Sequence, residues 1–329
     1  MCSLLGVAGP GIIKQDLHVL KQLGMISMLR GIDGTGFYQV NIDKDKIKSS
    51  ILVKSELDAA FFIRDLEDRK HKLLDDINVD MIMGHTRWAT IGEVNAKNSH
   101  PFEFDNIVAA HNGTLKEWKY HSKKKTDSEL MFEEVNKTNL KDTLSALDEQ
   151  SAFAVTVFDK KTCKLTFSRN HHRTLSFALL DDRDVLFWHS EMGALKYILG
   201  RNGIKAQAVS FDINKLYTVH PEEIRAKELA MWEIVDNPRQ EKPWISKFFG
   251  DNSTSANSNI KDSGWEQEKP KVNIKKIHTP RKLTEECDEC KRVMYPIDVH
   301  QGLNVKDKYL CRQCIQKNPE HDMIKKVLH

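Results

Sequence analysis

Two short apolar runs between residues 81 and 113 constrain the fold more than any other feature of this sequence. The first run begins at Met81 and leads into the polar segment 84–90, which reads GHTRWAT. The second begins at Ile107 and leads into the segment HNG at 111–113. Short apolar runs that end in polar clusters are typical of buried strands that present side chains to a ligand. The pair therefore predicts two strands with a polar site at their ends.

A third strand is predicted at the start of the sequence. Residues 3–8 form a short apolar run that stops at a Gly-Pro-Gly turn, residues 9–11. Leucine and isoleucine side chains then recur at helical spacing from Leu17 to Leu29, which predicts a helix. The glycine-rich turn at 30–36 follows, and its spacing does not match a dinucleotide-binding fingerprint.

The middle of the chain alternates between helical and β-type patterns. The periodicity predicts an amphipathic helix over 57–74, and Thr126 with Glu129 forms a capping box at the start of another. A later helix is predicted to have Ser190 as its N-cap and to end at Gly200. Short β-rich segments separated by turn residues predict strands at 37–41, 51–54, 152–158, 165–168, 176–180, 185–189, 206–211 and 215–219.

Length and composition predict an ordinary globular protein with one large and one small domain. The chain has 329 residues, of which 40% are hydrophobic and 29% charged. It contains no apolar run of the roughly 18 residues that a membrane helix needs, and the N-terminus lacks the pattern of a secretory signal. We therefore expect a cytoplasmic protein that does not bind membranes.

The C-terminal region carries the pattern of a metal site. Four of the six cysteines form two Cys-x2-Cys pairs, Cys287 with Cys290 and Cys311 with Cys314. This spacing fits a tetrahedral zinc site with four thiolate ligands, and paired cysteines favour a reducing compartment. The segment 269–282 has six basic residues and no acidic one. Such a run is usually a solvated linker, although contact with nucleic acid is an open alternative.

These patterns divide the chain into four parts. We predict a catalytic domain at 2–235, a flexible basic linker at 236–283, a zinc ribbon at 284–320 and a tail at 321–329. The zinc is expected to be structural, because so small a module cannot bury a sufficient core without a metal.

Cys2 has the chemistry of an N-terminal nucleophile. Removal of Met1 would leave Cys2 with a thiol and a free α-amine on one residue. The reference pKa of that amine is about 7.7–8.0, so a useful fraction is neutral at physiological pH and can accept the thiol proton. A strand at 3–8 would hold this residue in place.

Several motifs in order resemble the class II glutamine amidotransferase domain, an N-terminal-nucleophile hydrolase. The resemblance covers roughly residues 2–220 and rests on Cys2, the turn RGIDGTG at 30–36, HTRWATIG at 85–92, His-Pro at 100–101, HNG at 111–113 and Thr-Asp at 126–127. It implies an α+β fold, a four-layer αββα sandwich of two antiparallel sheets. It also implies hydrolysis of L-glutamine to glutamate and ammonia through a thioester on Cys2, with no catalytic cofactor.

The resemblance also implies roles for individual residues. Arg87 would bind the α-carboxylate of glutamine, and Asp127 would bind its α-ammonium group. The Asn112 side chain and the Gly113 N–H would form the oxyanion hole. Further pocket-lining residues would be Trp88, Thr90 and His100. For His85 and His111 we predict packing roles rather than catalysis.

Two positions depart from the pattern of glucosamine-6-phosphate synthase. Ile91 stands where that enzyme has a histidine, and Gly34 stands where it has a serine. No stretch after residue 235 matches an acceptor domain, so we expect the ammonia to pass to a separate synthetase or transferase subunit. Two alternatives remain open from the sequence: an amidohydrolase of the same fold acting on another amide, and a zinc-ribbon binding or regulatory protein with an inactive glutaminase domain.

Overall fold

A computed structural model describes the first part of the chain almost completely and the last part only in four short strands. The chain divides into two compact units, Met1–Phe249 and Gly250–His329. The residues described are 2–90, 92–122, 124–226, 228 and 231–239, together with the backbone of strands at 285–286, 293–294, 303–305 and 308–310.

The first unit is built mainly from strands, all of which pair antiparallel. In chain order they are β1 (Ser3–Ala8), β2 (Thr35–Asp43), β3 (Lys46–Ser55), β4 (Met81–Thr86), β5 (Phe102–Glu103), β6 (Ile107–Thr114), β7 (Ala152–Asp159), β8 (Leu165–Arg169), β9 (Ser176–Leu180), β10 (Leu186–His189), β11 (Ala206–Ser210), β12 (Lys215–Val219) and β13 (Glu233–Asp236). They form a seven-stranded sheet in the order β11-β9-β10-β1-β4-β2-β3 and a six-stranded sheet in the order β13-β12-β8-β7-β6-β5.

Five α-helices cover the outer faces of the two sheets. They are α1 (Lys14–Ile26), α2 (Ala59–Asp68), α3 (Asp127–Lys137), α4 (Leu140–Ser145) and α5 (Met192–Arg201). Apolar side chains of α1, α2 and α5 pack on the seven-stranded sheet, and those of α3 and α4 pack on the six-stranded sheet. A third apolar cluster joins the inner faces of both sheets. The predicted arrangement of two antiparallel sheets with helices, an α+β fold, is confirmed.

Strand β1 lies in the middle of the seven-stranded sheet, and all six of its residues are buried. It pairs with β4 on one side, with Ser3 opposite Thr86, and with β10 on the other, with Leu5 opposite His189. A strand that is buried on both faces reads as a continuous apolar run, which is why its limits were predictable from the sequence.

The helix predicted over 57–74 is shorter in the structure, and that prediction is wrong at its C-terminal end. Helix α2 ends at Asp68, and Lys70 and Leu74 have positive φ angles of 50° and 65°. Leu74 remains buried, and its N–H donates to the Gln39 side-chain oxygen at 3.2 Å. The apolar periodicity therefore continues as far as Leu74, although the backbone is no longer helical after Asp68.

The second unit is described only as two small antiparallel sheets. One pairs β14 (Glu285–Glu286) with β15 (Val293–Met294), and the other pairs β16 (Leu303–Val305) with β17 (Lys308–Leu310). The four cysteines of the predicted zinc ribbon, Cys287, Cys290, Cys311 and Cys314, lie outside the described residues, as do residues 240–283 of the predicted linker and the predicted tail. The predicted domain limits stay predictions. Within the described ranges, no helix is both long and apolar enough to cross a membrane.

We predict that Gly6→Ala destabilises the protein by about 1–3 kcal/mol, the usual cost of overpacking a core. A Cβ at Gly6 would lie 2.0 Å from the Trp188 ring and 2.5 Å from the Ile82 carbonyl oxygen. The matched control is Gly193→Ala on α5, where a Cβ would meet nothing within 4 Å. That change should stabilise the helix by roughly 0.5–1 kcal/mol. Urea denaturation followed by circular dichroism measures both. Equal stability of the two variants would contradict the packing described between β1 and Trp188.

Candidate active site

The pairing of β1 with β4 brings Cys2 next to the segment that follows β4. Cys2 directly precedes β1, and Ser3 lies opposite Thr86 at the end of β4. The Trp88 N–H donates to the Cys2 Sγ at 3.3 Å, and the thiol donates to the Trp88 carbonyl at 3.6 Å. The two regions that the sequence analysis joined into one site are therefore in direct contact.

The environment of Cys2 favours the protonated thiol. Burial raises the pKa of this thiol, while the Trp88 N–H and then the charge of Arg87 act in the opposite direction. Among the described residues, Sγ makes hydrogen bonds only with the backbone of Trp88, so no histidine takes its proton directly. Since the thiolate is the nucleophilic form of cysteine, a reaction at Cys2 requires a separate base.

Arg87 is a buried cation held beside Cys2. Its side chain donates to the Glu93 carbonyl at 2.8 Å, and the residue is only 3% exposed. Burial lowers the pKa of the guanidinium, and the negative charges of Asp33, Asp127 and the thiolate form of Cys2 raise it. Because the pKa of arginine is normally above 12, the group keeps its charge and can bind a carboxylate.

Asp127 occupies the first position of α3 and is also buried. One carboxylate oxygen accepts from the Leu115 N–H at 2.9 Å, and the other accepts from the Ser128 N–H at 2.9 Å. The predicted N-cap of this helix is confirmed, because the Thr126 hydroxyl accepts from the Glu129 N–H at 3.1 Å. Two backbone donors thus fix the Asp127 carboxylate, which interacts electrostatically with Arg87.

Asn112 and Gly113 lie near the end of β6, opposite Ala154 and Phe153 of β7. Asn112 is 1% exposed, and its amide nitrogen donates to the Ser190 hydroxyl at 3.4 Å. A Cβ at Gly113 would lie 1.8 Å from the Ala152 carbonyl oxygen, so only glycine fits there without a shift of the backbone. Both residues are thus held closely against neighbouring segments of the structure.

The other predicted pocket residues differ in exposure. Trp88 is partly buried and Thr90 is exposed, whereas His100 is buried at 4% exposure. The His100 ring packs against His85, with ring centroids 4.2 Å apart, and against Phe102 at 4.6 Å. His100 therefore lies beneath the surface of the site. Ile91, which departs from the synthase pattern, is outside the described residues.

The segment 189–191, at the end of β10, was not singled out as part of the site by the sequence. The prediction that Ser190 is the N-cap of α5 is wrong, because Glu191 occupies that position. The Ser190 hydroxyl instead accepts from the Leu4 N–H at 2.9 Å. Its contact lies 186 residues away in sequence, so no local pattern could reveal it.

Two charged residues of the glycine-rich turn at 30–36 also support the site. Arg30 donates to the Cys2 carbonyl oxygen at 2.9 Å and forms an ion pair with Glu191. Asp33 accepts from the Ala89 N–H at 2.9 Å, while its own N–H donates to the Arg87 carbonyl at 2.8 Å. The turn therefore fixes the backbone on both sides of Trp88.

Four buried histidines surround the site and are kept neutral by burial. Burial lowers the pKa of His85 and of His189 to about 3, with the positive charges of Arg87 and Arg30, respectively, adding to the effect. Burial likewise lowers the pKa values of His100 and His111. His111 bonds to the Ser128 hydroxyl at 2.8 Å and to the Ala152 carbonyl at 3.2 Å, which agrees with its predicted packing role.

One group of residues in the described part of the chain has the composition of a metal site. Asp45, His220 and Glu222 offer ligand atoms within 4.8 Å of one another. However, the Glu222 N–H donates to the His220 Nδ1 at 3.2 Å, so the ring proton stays on Nε2, 3.3 Å from the Asp45 carboxylate. A metal at Nε2 would need that proton removed. We therefore interpret the group as a histidine–carboxylate contact between the β2–β3 turn and the end of β12.

A comparison with protein families now identifies the family of this chain. Residues 68–246, more than half of the chain, match the family described as class II glutamine amidotransferases. The chain belongs to this family. Arg87, Asn112, Gly113 and Asp127 lie within the matched segment, whereas Cys2 precedes it.

Curated relatives of this amidotransferase domain match this chain over only part of their own length. A glutamine–fructose-6-phosphate aminotransferase (isomerizing) from Streptococcus pyogenes is 29% identical over 163 residues, which is 45% of this chain and 24% of that enzyme. One from Streptococcus agalactiae is 28% identical with the same coverage. The chain thus spans about a quarter of the length of these relatives.

Solved structures show the same fold. A glutamine phosphoribosylpyrophosphate amidotransferase from Bacillus subtilis, in complex with ADP and GMP, matches with a TM-score of 0.50 over 73% of this chain and 50% of that one. A structure described as the allosteric regulatory enzyme of purine biosynthesis matches with a TM-score of 0.52 and the same coverage. Both are 16% identical, so the likeness concerns the fold.

We predict that acid weakens the fold through His85. Its pKa is about 3 in the folded protein and about 6.5 in an unfolded chain, so the unfolded state binds the proton first. Its contribution is complete above about pH 6.5 and is lost as the pH falls, by about 1 kcal/mol for each pH unit. The free energy of unfolding, measured in urea from pH 7.5 to 5, should therefore fall less steeply for His85→Phe. An unchanged slope would contradict the neutral state of this ring.

Proposed function

We propose that this protein hydrolyses L-glutamine to glutamate and ammonia, with Cys2 as the nucleophile after removal of Met1. The observation that carries the proposal is the convergence of a thiol, a buried arginine and a buried aspartate. Cys2 touches the backbone of Trp88, next to Arg87, and both Arg87 and Asp127 interact electrostatically with the thiol. A thiol between a fixed cation and a fixed anion suits a substrate that carries both an α-carboxylate and an α-ammonium group.

Substrate recognition would rest on the two buried charges. The planar guanidinium of Arg87 can bind the α-carboxylate in a bidentate manner. Asp127 would accept from the α-ammonium group while its carboxylate is held by the Leu115 and Ser128 N–H groups. Trp88 and Thr90 would line the pocket. His100 would support it from below through its contact with His85.

The first chemical step would need a base for the thiol. The α-amine that Met1 removal exposes on Cys2 has a reference pKa near neutral and can take the proton, directly or through a water. The thiolate would attack the side-chain amide carbon of glutamine, and the proton would pass to the leaving ammonia. Water would then hydrolyse the thioester and release glutamate.

The negative charge on the tetrahedral intermediates would be stabilised by the Asn112 amide and the Gly113 N–H. Donors that are fixed before the reaction stabilise this charge without reorganisation, and the loss of one typically costs about 10²–10³ in kcat. The burial of Asn112 and the exclusion of any Cβ at Gly113 support this role.

The ammonia would serve an acceptor reaction in another domain or subunit. The streptococcal relatives are named as aminotransferases that take nitrogen from glutamine, and the matched segment covers 24% of the length of the Streptococcus pyogenes enzyme. By analogy with these relatives, the reaction that consumes the ammonia would take place outside the glutaminase unit. Fructose 6-phosphate is the acceptor in the name of those relatives, and Ile91 and Gly34 separate this chain from the synthase pattern.

We predict that Cys2→Ala abolishes glutaminase activity, with a loss on the order of 10⁴–10⁶-fold in kcat. Release of glutamate from L-glutamine measures it, after mass spectrometry has verified that Met1 is absent. Cys163→Ser is the matched control, because Cys163 is also a free cysteine and lies in the apolar core between the sheets. Activity that survives Cys2→Ala would refute the mechanism.

The role of Arg87 has its own test. An active Arg87→Lys variant with an unchanged KM for glutamine would refute recognition of the α-carboxylate by Arg87.

We also propose that the C-terminal unit binds one structural zinc ion through Cys287, Cys290, Cys311 and Cys314. The backbone described nearby fits such a ligand set. The first cysteine pair lies in the connection between β14 and β15, and the second pair follows β17 directly in the sequence. Bound zinc would supply folding energy to a module too small for a sufficient core.

This unit would dock a protein partner, in our proposal the acceptor enzyme. Nucleic acid is the competing ligand, because the segment 269–282, with six basic residues, precedes the four cysteines in the sequence.

For the zinc site we expect about one zinc per chain in the purified protein, measured by elemental analysis. The double variant Cys287→Ser/Cys290→Ser should lose it, because two thiolates do not complete a tetrahedral site. Cys163→Ser should retain the metal. A zinc content that is unchanged in the double variant, or absent from the unaltered protein, would contradict the proposed site.

A further inference from the structure

Three consecutive residues at the end of β10 contact residues that hold the site together. His189 bonds to Ser3 at 3.3 Å, and Glu191 forms the ion pair with Arg30, which holds the Cys2 carbonyl. Ser190 lies between them. We define residues 189–191 as the brace segment.

Ser190 is the residue of the brace segment that touches two strands at once. Its hydroxyl oxygen accepts from the Leu4 N–H at 2.9 Å, and its own N–H donates to the Leu4 carbonyl at 2.9 Å. The same hydroxyl oxygen accepts from the Asn112 amide at 3.4 Å. Leu4 belongs to β1 in the seven-stranded sheet, and Asn112 belongs to β6 in the other. One buried hydroxyl, on a residue that is 0% exposed, thus joins both sheets at the site.

The contact with Ser190 determines where the second hydrogen of the Asn112 amide points. A side-chain amide has two N–H hydrogens in one plane. When one is bonded to Ser190, the direction of the other is set, and rotation of the amide would break that bond. An oxyanion hole depends on donors that are aimed before charge develops. The direction of the free N–H is therefore the property that Ser190 controls.

We propose that Ser190 is a positioning residue that aims the Asn112 amide at the reacting carbonyl and aligns it with the strand that carries Cys2. This inference rests on the proposed function. A capping role does not account for the hydroxyl, because α5 has Glu191 as its N-cap and no side-chain capping bond. Because Ser190 touches Asn112 rather than the substrate, it should affect the stabilisation of charge and leave glutamine binding intact.

The test is a kinetic cycle with Ser190→Ala and Asn112→Ala in the full chain, measured as glutamate release. Ser190→Ala should lower kcat by about 10–100-fold, the usual effect of losing a residue that orients a ligand group, with KM changed less than about twofold. In the Asn112→Ala background the same change should have little further effect, because the group it aims is gone. Ser190→Thr keeps a hydroxyl and should restore most of kcat.

A buried serine elsewhere serves as the control. Ser145→Ala removes a hydroxyl that donates to the Asp142 carbonyl at 3.1 Å on α4, and it should leave kcat and KM unchanged. Thermal unfolding of each variant verifies that the chain is folded before its kinetics are read.

The outcomes separate the inference from the proposed function. An unaltered protein that releases no glutamate from glutamine would overturn the proposed function and this inference with it. An active unaltered protein whose Ser190→Ala variant keeps its kcat would overturn the inference alone. So would an equal loss of kcat in the presence and absence of the Asn112 side chain, because Ser190 would then act through the fold rather than through that amide.

Discussion

The antiparallel pairing of β1 between β4 and β10 is the interaction on which the rest of the site depends. It puts Ser3 opposite Thr86 and Leu5 opposite His189, so the residues that flank these strands meet at one end of the sheet. A slip of one residue would turn every side chain of β1 to the opposite face and move Cys2 away from Trp88. Burial of apolar side chains on both faces of β1 prevents that slip. The position of the candidate nucleophile is thus determined by core packing.

The features that the sequence predicted well are those with a local signal. The limits of β1, β9 and β12 agree with the apolar runs, and Arg87 and Asn112 stood out because each follows or ends such a run. Ser190 was misread because a serine before a helix satisfies the local rule for an N-cap. In the folded protein the Ser190 hydroxyl instead accepts a hydrogen bond from the buried Leu4 N–H, with a distance of 2.9 Å between the nitrogen and Oγ. Long-range contacts of this kind leave no periodic trace in a sequence.

Charge at the site is concentrated in a few groups because the surrounding histidines are neutral. Burial keeps His85 and His189 uncharged at physiological pH, so they add no positive charge near Cys2. Arg87 and Arg30 both interact electrostatically with Cys2, and the charge of a guanidinium group does not depend on physiological pH. In the proposed function, electrostatic recognition of an α-carboxylate would therefore fall to Arg87, while Arg30 is engaged with the Cys2 carbonyl and Glu191.

The burial of Cys2 works against its proposed role as a nucleophile. It raises the pKa of the Cys2 thiol, and the sulfur makes no hydrogen bond to an imidazole among the described residues. A thiolate generated by a neighbouring histidine, as in Cys–His enzymes, therefore does not fit this geometry. The base that fits is the α-amine of Cys2 itself, which exists only after the preceding peptide bond has been cut. Catalysis would then require the removal of Met1, because a retained Met1 would turn the base into an amide nitrogen that cannot accept the proton.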